Sequence, residues 1–201
     1  MGDRHPRGRT DVTLLNLPEQ DDAEVILRSR DDPEQFAAVF DRYARQIHLY
    51  AARRLGTQAA DDIVAETFLA AFRRRESYDP AVRLARPWLY GIATKLIARH
   101  RRDEERLLRA LSRTGADPLP EPIGDVVTQR VAAQAEERRL MAALAALSPG
   151  DRDVLLLVAW EDMSLEEAAQ ALGIPAGTAR SRMHRARKKI KAVIPAEEEN
   201  R

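Results

Sequence analysis

The sequence predicts an all-α fold: two small helical domains joined by a flexible linker, the second ending in a helix-turn-helix. Three observations predict it. Apolar residues recur at helical spacing along most of the 201 residues, and no segment alternates as a half-buried strand would. Near residue 112 the composition breaks at SRTGADPLPEPIGD, whose prolines and glycines suit a linker better than a helix. Finally, residues 164–191, SLEEAAQALGIPAGTARSRMHRARKKIK, read as two short helices joined by a tight turn.

Taken in order, residues 1–21 carry Gly, Pro and charge without periodicity and are expected to form a disordered tail. A short helix is predicted over 22–29. Asp32-Pro33-Glu34-Gln35 then starts another, with Asp as cap and Pro in the first turn. Phe36, Phe40, Tyr43, Ile47 and Tyr50 share a face of that helix, and Gly56 closes it. The next helix is predicted over 59–74, burying Val64, Phe68, Ala71 and Phe72. Another begins near Arg86-Pro87 and runs to about Leu108, with Leu89, Ile92, Ala93, Leu96 and Ile97 inward. After the linker, Ser148-Pro149-Gly150-Asp151 caps a helix filled by VLLLVAW. Ser164 and Glu167 have the spacing of a capping box, and Gly173 permits the turn into the last helix.

Composition excludes several functions. The absence of cysteine rules out a disulfide scaffold and thiolate zinc sites, and the four histidines are too scattered for a metal cluster. No apolar run approaches the roughly 18–20 residues of a membrane span. The first residues have no hydrophobic segment behind them, so a secretory signal is not expected and a cytoplasmic chain is. Nothing calls for a cofactor.

Charge is informative through its placement, because 33 Lys and Arg nearly balance 32 Asp and Glu. The last helix holds Arg180, Arg182, Arg185, Arg187, Lys188, Lys189 and Lys191, with an apolar stripe of Ala179, Met183, Ala186, Ile190 and Val193. Such a helix fits a DNA major groove. Gly177, Thr178, Arg180 and Ser181 near its start are placed for base edges, and Arg182, Arg185, Lys188 and Lys189 for phosphates. Ser164 serves either as a helix cap or as a phosphate contact. A second cationic zone surrounds Tyr78, Trp88 and Tyr90 with Arg73, Arg74, Arg83 and Arg86, and continues through Lys95, Arg99 and Arg102. Cations interleaved with aromatics suit single-stranded nucleic acid, although the same aromatics equally suit a core. Asp61, Asp62 and Glu66 form an acidic patch. Favourable acids in a first helical turn explain it, as does a protein-docking surface; no nucleophile or phosphate loop accompanies it, so an enzyme is not expected.

The segments ADDIVAETFLAAF at 60–72, RPWLYGIA at 86–93 and the helix-turn-helix at 164–191, in this order, resemble a bacterial RNA polymerase sigma factor of the extracytoplasmic-function (ECF) type in the sigma-70 family. The terminal motif alone would fit an independent repressor or activator as well, and a basic face alone a module that binds an acidic partner. The resemblance implies region 2 over 22–108, a linker over 109–133, region 4 over 134–194 and a tail over 195–201. It implies binding to core RNA polymerase through Asp61, Asp62, Ile63, Glu66 and Phe68. It further implies contact of Arg73, Arg74, Tyr78, Arg83, Arg86, Trp88, Tyr90, Lys95, Arg99 and Arg102 with a partly single-stranded −10 element, and matches residues 73–86 to the part where a loop captures a flipped base of that element. The last helix is implied to read a double-stranded −35 element, and an anti-sigma factor is an implied partner. Lys95 departs from the Asn often found at its position in such factors, which bears on −10 preference.

Overall fold

The structure, a computed structural model, describes residues 21–113 and 139–193. Residues 1–20 of the first predicted tail, all of the second and most of the predicted linker lie outside the described residues, whereas Asp21 serves as the cap of the first helix. Among those described, all regular structure is helical. The first set comprises α1 (Asp22–Asp31), α2 (Ala37–Leu55), α3 (Thr57–Arg74) and α4 (Arg86–Arg113). The second comprises α5 (139–145), α6 (Pro149–Trp160), α7 (Leu165–Leu172) and α8 (Ala176–Val193).

Local chemistry explains most boundaries. The Asp21 carboxylate accepts from the Ala23 N–H and caps α1. Asp32 accepts from Glu34 N–H, but a 3₁₀ turn over Pro33–Phe36 precedes α2, so that helix starts later than the Asp-Pro signal implies. Gly56, at φ 86°, ends α2, and its N–H bonds the Ala52 carbonyl at 2.8 Å. Ser148 Oγ accepts from Asp151 N–H. At α7 both halves of the capping box form: Ser164 Oγ accepts from Glu167 N–H, and Glu167 accepts from Ser164 N–H at 2.8 Å. Gly173 closes α7 in the left-handed conformation. α4 extends about one turn past its expected end.

Tyr43, Ile47 and Tyr50 of α2, Ile63 and Phe68 of α3, and Leu89, Tyr90 and Ile97 of α4 build the first core. Phe40 departs from its predicted face: it is half exposed and meets Phe68 edge-on, with ring centres 4.8 Å apart. Val154, Ala169, Ala179 and Met183 seal the helix-turn-helix.

The two sets pack together. Leu156, Leu157, Met163, Ala168 and Ala171 of the second join the buried cluster of the first, with α4 lying against α7. Gly91 makes the approach possible: a Cβ there would lie 2.2 Å from the Ala171 carbonyl oxygen. Arg54, almost wholly buried, donates to Tyr50 Oη at 2.7 Å and to Asp153 of α6 at 2.6 Å. Burial alone would depress its pKa; Tyr50 and Asp153 reverse that and hold the guanidinium charged.

Candidate nucleic-acid and partner interfaces

Helix α8 presents its charge unevenly. Its buried stripe is Ala179, Met183 and Ala186, while Val193 at the end is exposed. Arg185 folds back to α6, donating from Nη2 and Nε to the two carboxylate oxygens of buried Asp151 at 2.8 and 3.3 Å. Those bonds hold the Asp151 carboxyl below its usual range. Arg182 lies over Gly150, where a Cβ would come within 2.6 Å of its Nη1. Both arginines, expected at phosphates, flank the apolar stripe and reach back to α6, with the Arg185 side chain still 55% exposed. A long side chain beside a packing face reaches inward as easily as outward, which periodicity cannot distinguish. The outward cations are Arg180, Arg187, Lys188, Lys189 and Lys191. Arg180 meets Glu166 only loosely, at 3.8 Å with both side chains 68% exposed. Gly177 and Ser181 are exposed at the helix start, Thr178 half so, and Ser181 Oγ donates to the Gly177 carbonyl. Ser164 is exposed and engaged in its capping box.

The acidic side of α3 exposes Asp61, Asp62 and Glu66. Ile63 and Phe68, expected on the same docking surface, are buried and instead support it from beneath. Leu69, at helical spacing from Asp62 and Glu66, is half exposed there. The sequence reading missed Phe40 and Leu69 as surface residues; the spacing of Phe40 from Phe36 is that of a core position.

In the second cationic zone the aromatics are mostly interior. Tyr78 is buried, donates to the Val82 carbonyl at 2.6 Å and packs against half-buried Trp88 with ring centres 4.8 Å apart. Tyr90 is fully buried, and its hydroxyl donates to the Glu161 carboxylate at the end of α6. Neither tyrosine offers a stacking face in this arrangement, which fits the core reading that the sequence left open rather than the −10 contact that the resemblance implies. Arg86 donates to the Glu161 carbonyl, with its guanidinium 5.6 Å from the centre of the Tyr90 ring. Burial pushes the Glu161 carboxyl above its usual range, against the opposing effects of Tyr90, Arg53 and Arg86. Arg83 pairs with Asp21 at 3.0 Å. Arg73, Arg74, Lys95, Arg99 and Arg102 remain exposed, and Lys95, Arg99 and Arg102 share one line on α4 with Trp88. Sequence reasoning did not find Arg54, Asp153 or Glu161, because their importance lies in contacts between the two sets.

A capped, turn-closed helix pair with an outward cationic helix, packed against a preceding helical bundle, defines a DNA-binding protein of the helix-turn-helix class. Comparison with known proteins narrows this. Residues 39–107 match the family described as Sigma-70 region 2, and residues 137–190 match Sigma-70, region 4. The chain is 31% identical over 182 residues to the RNA polymerase sigma factor NccH of Alcaligenes xylosoxydans xylosoxydans, covering 88% of this chain and 96% of that one. It is 31% identical over 158 residues to the ECF RNA polymerase sigma factor SigL of Mycobacterium tuberculosis, covering 78% and 87%. The solved structure of CnrH in complex with the cytosolic domain of CnrY superposes with a TM-score of 0.60 at 27% identity, covering 89% of this chain and 99% of CnrH. The chain belongs to the ECF sigma factors of the sigma-70 family.

Proposed function

We propose that this chain binds core RNA polymerase, directs it to promoters carrying −35 and −10 elements, and assists in opening the DNA. The observation that carries the reading is the match to regions 2 and 4, in that order, on one chain. The outward cations of α8 and the exposed acids of α3 supply surfaces of opposite character for DNA and polymerase. No bond need be made or broken by the chain itself; phosphodiester synthesis belongs to the polymerase, and the site of action is the cytoplasm. Among the described residues no helix is long and apolar enough to cross a membrane.

The two DNA elements call for different chemistry. A rigid helix reads a double-stranded −35 element through its groove, with Arg180, Gly177, Thr178 and Ser181 nearest the bases and Lys188 and Lys189 on the backbone. At the −10 element a stacked base contributes about 1–3 kcal/mol, which offsets the few kcal/mol of flipping it. An opened segment is therefore trapped by binding alone. Half-buried Trp88 with exposed Lys95, Arg99 and Arg102 forms the line for that strand. For Tyr90 to join them, Glu161 must leave it, so a contact of Tyr90 with the strand requires the two helix sets to part. An anti-sigma factor is the expected antagonist, supported by the solved complex of CnrH with the cytosolic domain of CnrY.

The deciding experiment adds the purified chain to core polymerase and promoter fragments. Core-dependent transcripts support the reading. Failure to bind core, with tight sequence-specific binding by the free chain, identifies an independent repressor or activator instead.

Two predictions test the assigned surfaces. Reversing Asp61 and Glu66 to lysine is expected to weaken polymerase binding at least about tenfold, or about 1.4 kcal/mol, while leaving DNA binding through α8 intact. Equilibrium titration with core polymerase and with −35 duplex separates the two. Replacing Lys188 and Lys189 by alanine is expected to weaken −35 binding similarly across sequences. The slope of log affinity against log salt should shrink by about 2, at roughly 0.9 per phosphate contact. An unchanged slope would remove both lysines from the backbone interface.

A further inference from the structure

Helix α1 lies before residues 39–107, the extent of the region 2 match. Its contacts nevertheless converge on the segment between α3 and α4, residues 75–85. Asp22 shows this most clearly. Its neighbour Asp21 already caps α1, and an acid in a first turn ordinarily stays in water, where it suits the helix dipole. The Asp22 side chain is instead wholly buried and accepts from three places: the Arg42 guanidinium, the Tyr43 hydroxyl at 2.5 Å and the Ala85 N–H at 2.8 Å. A carboxylate taken out of water is tolerated only where its lone pairs are met in this way.

α1 grips the segment at both ends. On the entry side Arg30 donates to the Tyr78 carbonyl at 3.1 Å, and Arg75 donates to the Ser29 carbonyl at 3.0 Å. On the exit side Arg83 pairs with Asp21, the Ala23 N–H bonds the Arg83 carbonyl, and Ala85 bonds Asp22. Between these anchors the segment makes its own turn, through Tyr78 to Val82 and Ala81 N–H to the Asp79 carboxylate. Asp79, Pro80 and Ala81 are exposed at its tip, and Leu84 is 47% exposed. The turn's shape is thus internal, while its placement on the bundle comes from α1.

We propose that Asp22 is a positioning residue for promoter selectivity: through α1 it holds residues 75–85 in the placement that discriminates the unpaired bases of the −10 element, without itself touching DNA. The proposal rests on the promoter-recognition reading above. A base captured against a turn is discriminated only if the turn is fixed, because a turn free to shift by an ångström accommodates the wrong base as well as the right one.

Asp22→Asn keeps the shape and removes the charge that holds Arg42. The test uses the full chain with core polymerase on promoters that differ by single −10 bases, with 2-aminopurine at the opened position. The expected result is a fall of at least fivefold in the ratio of initiation rates between preferred and substituted promoters. The 2-aminopurine signal on the preferred promoter falls with it, while −35 duplex affinity and core binding stay within twofold. Equal loss on every promoter, with the ratio preserved, would overturn the proposal and leave Asp22 a structural residue; so would no change at all. If Asp22→Asn fails to fold by circular dichroism, the double variant Arg30→Gln with Arg75→Gln decides, because it releases both bonds of the entry anchor and leaves the buried carboxylate satisfied. A preserved ratio in that variant also overturns the proposal. A wild-type chain that neither needs core polymerase nor discriminates −10 bases would instead refute the underlying promoter reading.

Discussion

Asp153→Ala is expected to part the two helix sets rather than unfold either of them. Removing one partner of a buried ion pair costs about 3–5 kcal/mol, because the remaining charge is stranded out of water. Here the stranded group is Arg54, whose side chain is only 4% exposed. Unlike a charge in the middle of one core, Arg54 has an exit: withdrawing α6 from α2 returns it to solvent. The penalty is therefore bounded by the free energy of separation, and separation becomes the response once the penalty exceeds it. Small-angle scattering of the free chain should give a larger radius of gyration, while helical content by circular dichroism stays constant. The double replacement of Arg54 by Met and Asp153 by Leu is the control. It removes both charges together, which is commonly neutral or stabilising, and should remain compact. Unchanged dimensions for Asp153→Ala, with a loss of stability below about 1 kcal/mol, would show the pair to be as weak as an exposed one.

The pattern of what the sequence revealed follows from the range of the forces involved. Capping at Ser148 and Ser164, closure at Gly56 and Gly173, and the stripe of Ala179, Met183 and Ala186 depend on neighbours within a turn or two, and spacing alone exposed them. The candidate interfaces were legible as charge but not as orientation. Arg182 and Arg185 carry the same charge as Lys188 and Lys189, yet only the fold reveals Asp151 and Gly150 beside the first two. Tyr78 and Tyr90 read equally as stacking platforms or core because an aromatic side chain serves both, and the fold alone shows Tyr78 packed on Trp88 and Tyr90 packed on Tyr50 and bonded to Glu161, 71 positions away. Phe40 erred in the opposite sense: a perfect core spacing ends at the rim of the bundle, with 44% of the residue exposed. Long-range pairs such as Arg54 with Asp153 carry no local signature, since one more Arg and one more Asp in a chain rich in both attract no notice.

Gly91→Ala should open the same interface by a route that leaves every charge untouched. A methyl group at this position would lie 2.2 Å from the Ala171 carbonyl oxygen and 3.1 Å from its carbon, and a backbone group cannot rotate away as a side-chain tip can. α7 must therefore retreat from α4, at a cost of about 1–3 kcal/mol for forced overpacking. Within α4 the same change is favourable by about 0.5–1 kcal/mol, because alanine loses less backbone freedom than glycine in a helix interior. The two effects have opposite signs in different places, and this makes the outcome diagnostic: α4 gains helical stability while its packing against α7 weakens. Tyr90 then parts from Glu161, and Trp160, which lies beside Arg53 at the junction, becomes wetter. In a Trp88→Phe background the remaining tryptophan emission should shift to the red without loss of helical circular dichroism. Apparent affinity scales with the fraction of molecules already competent to bind. A variant shifted toward the parted state should therefore bind a single-stranded −10 oligonucleotide more tightly than the parent, by the same factor as its open fraction has risen. A red shift with no gain in binding would separate exposure of the α4 face from competence, and would mean that Tyr90 takes no part in holding the −10 strand.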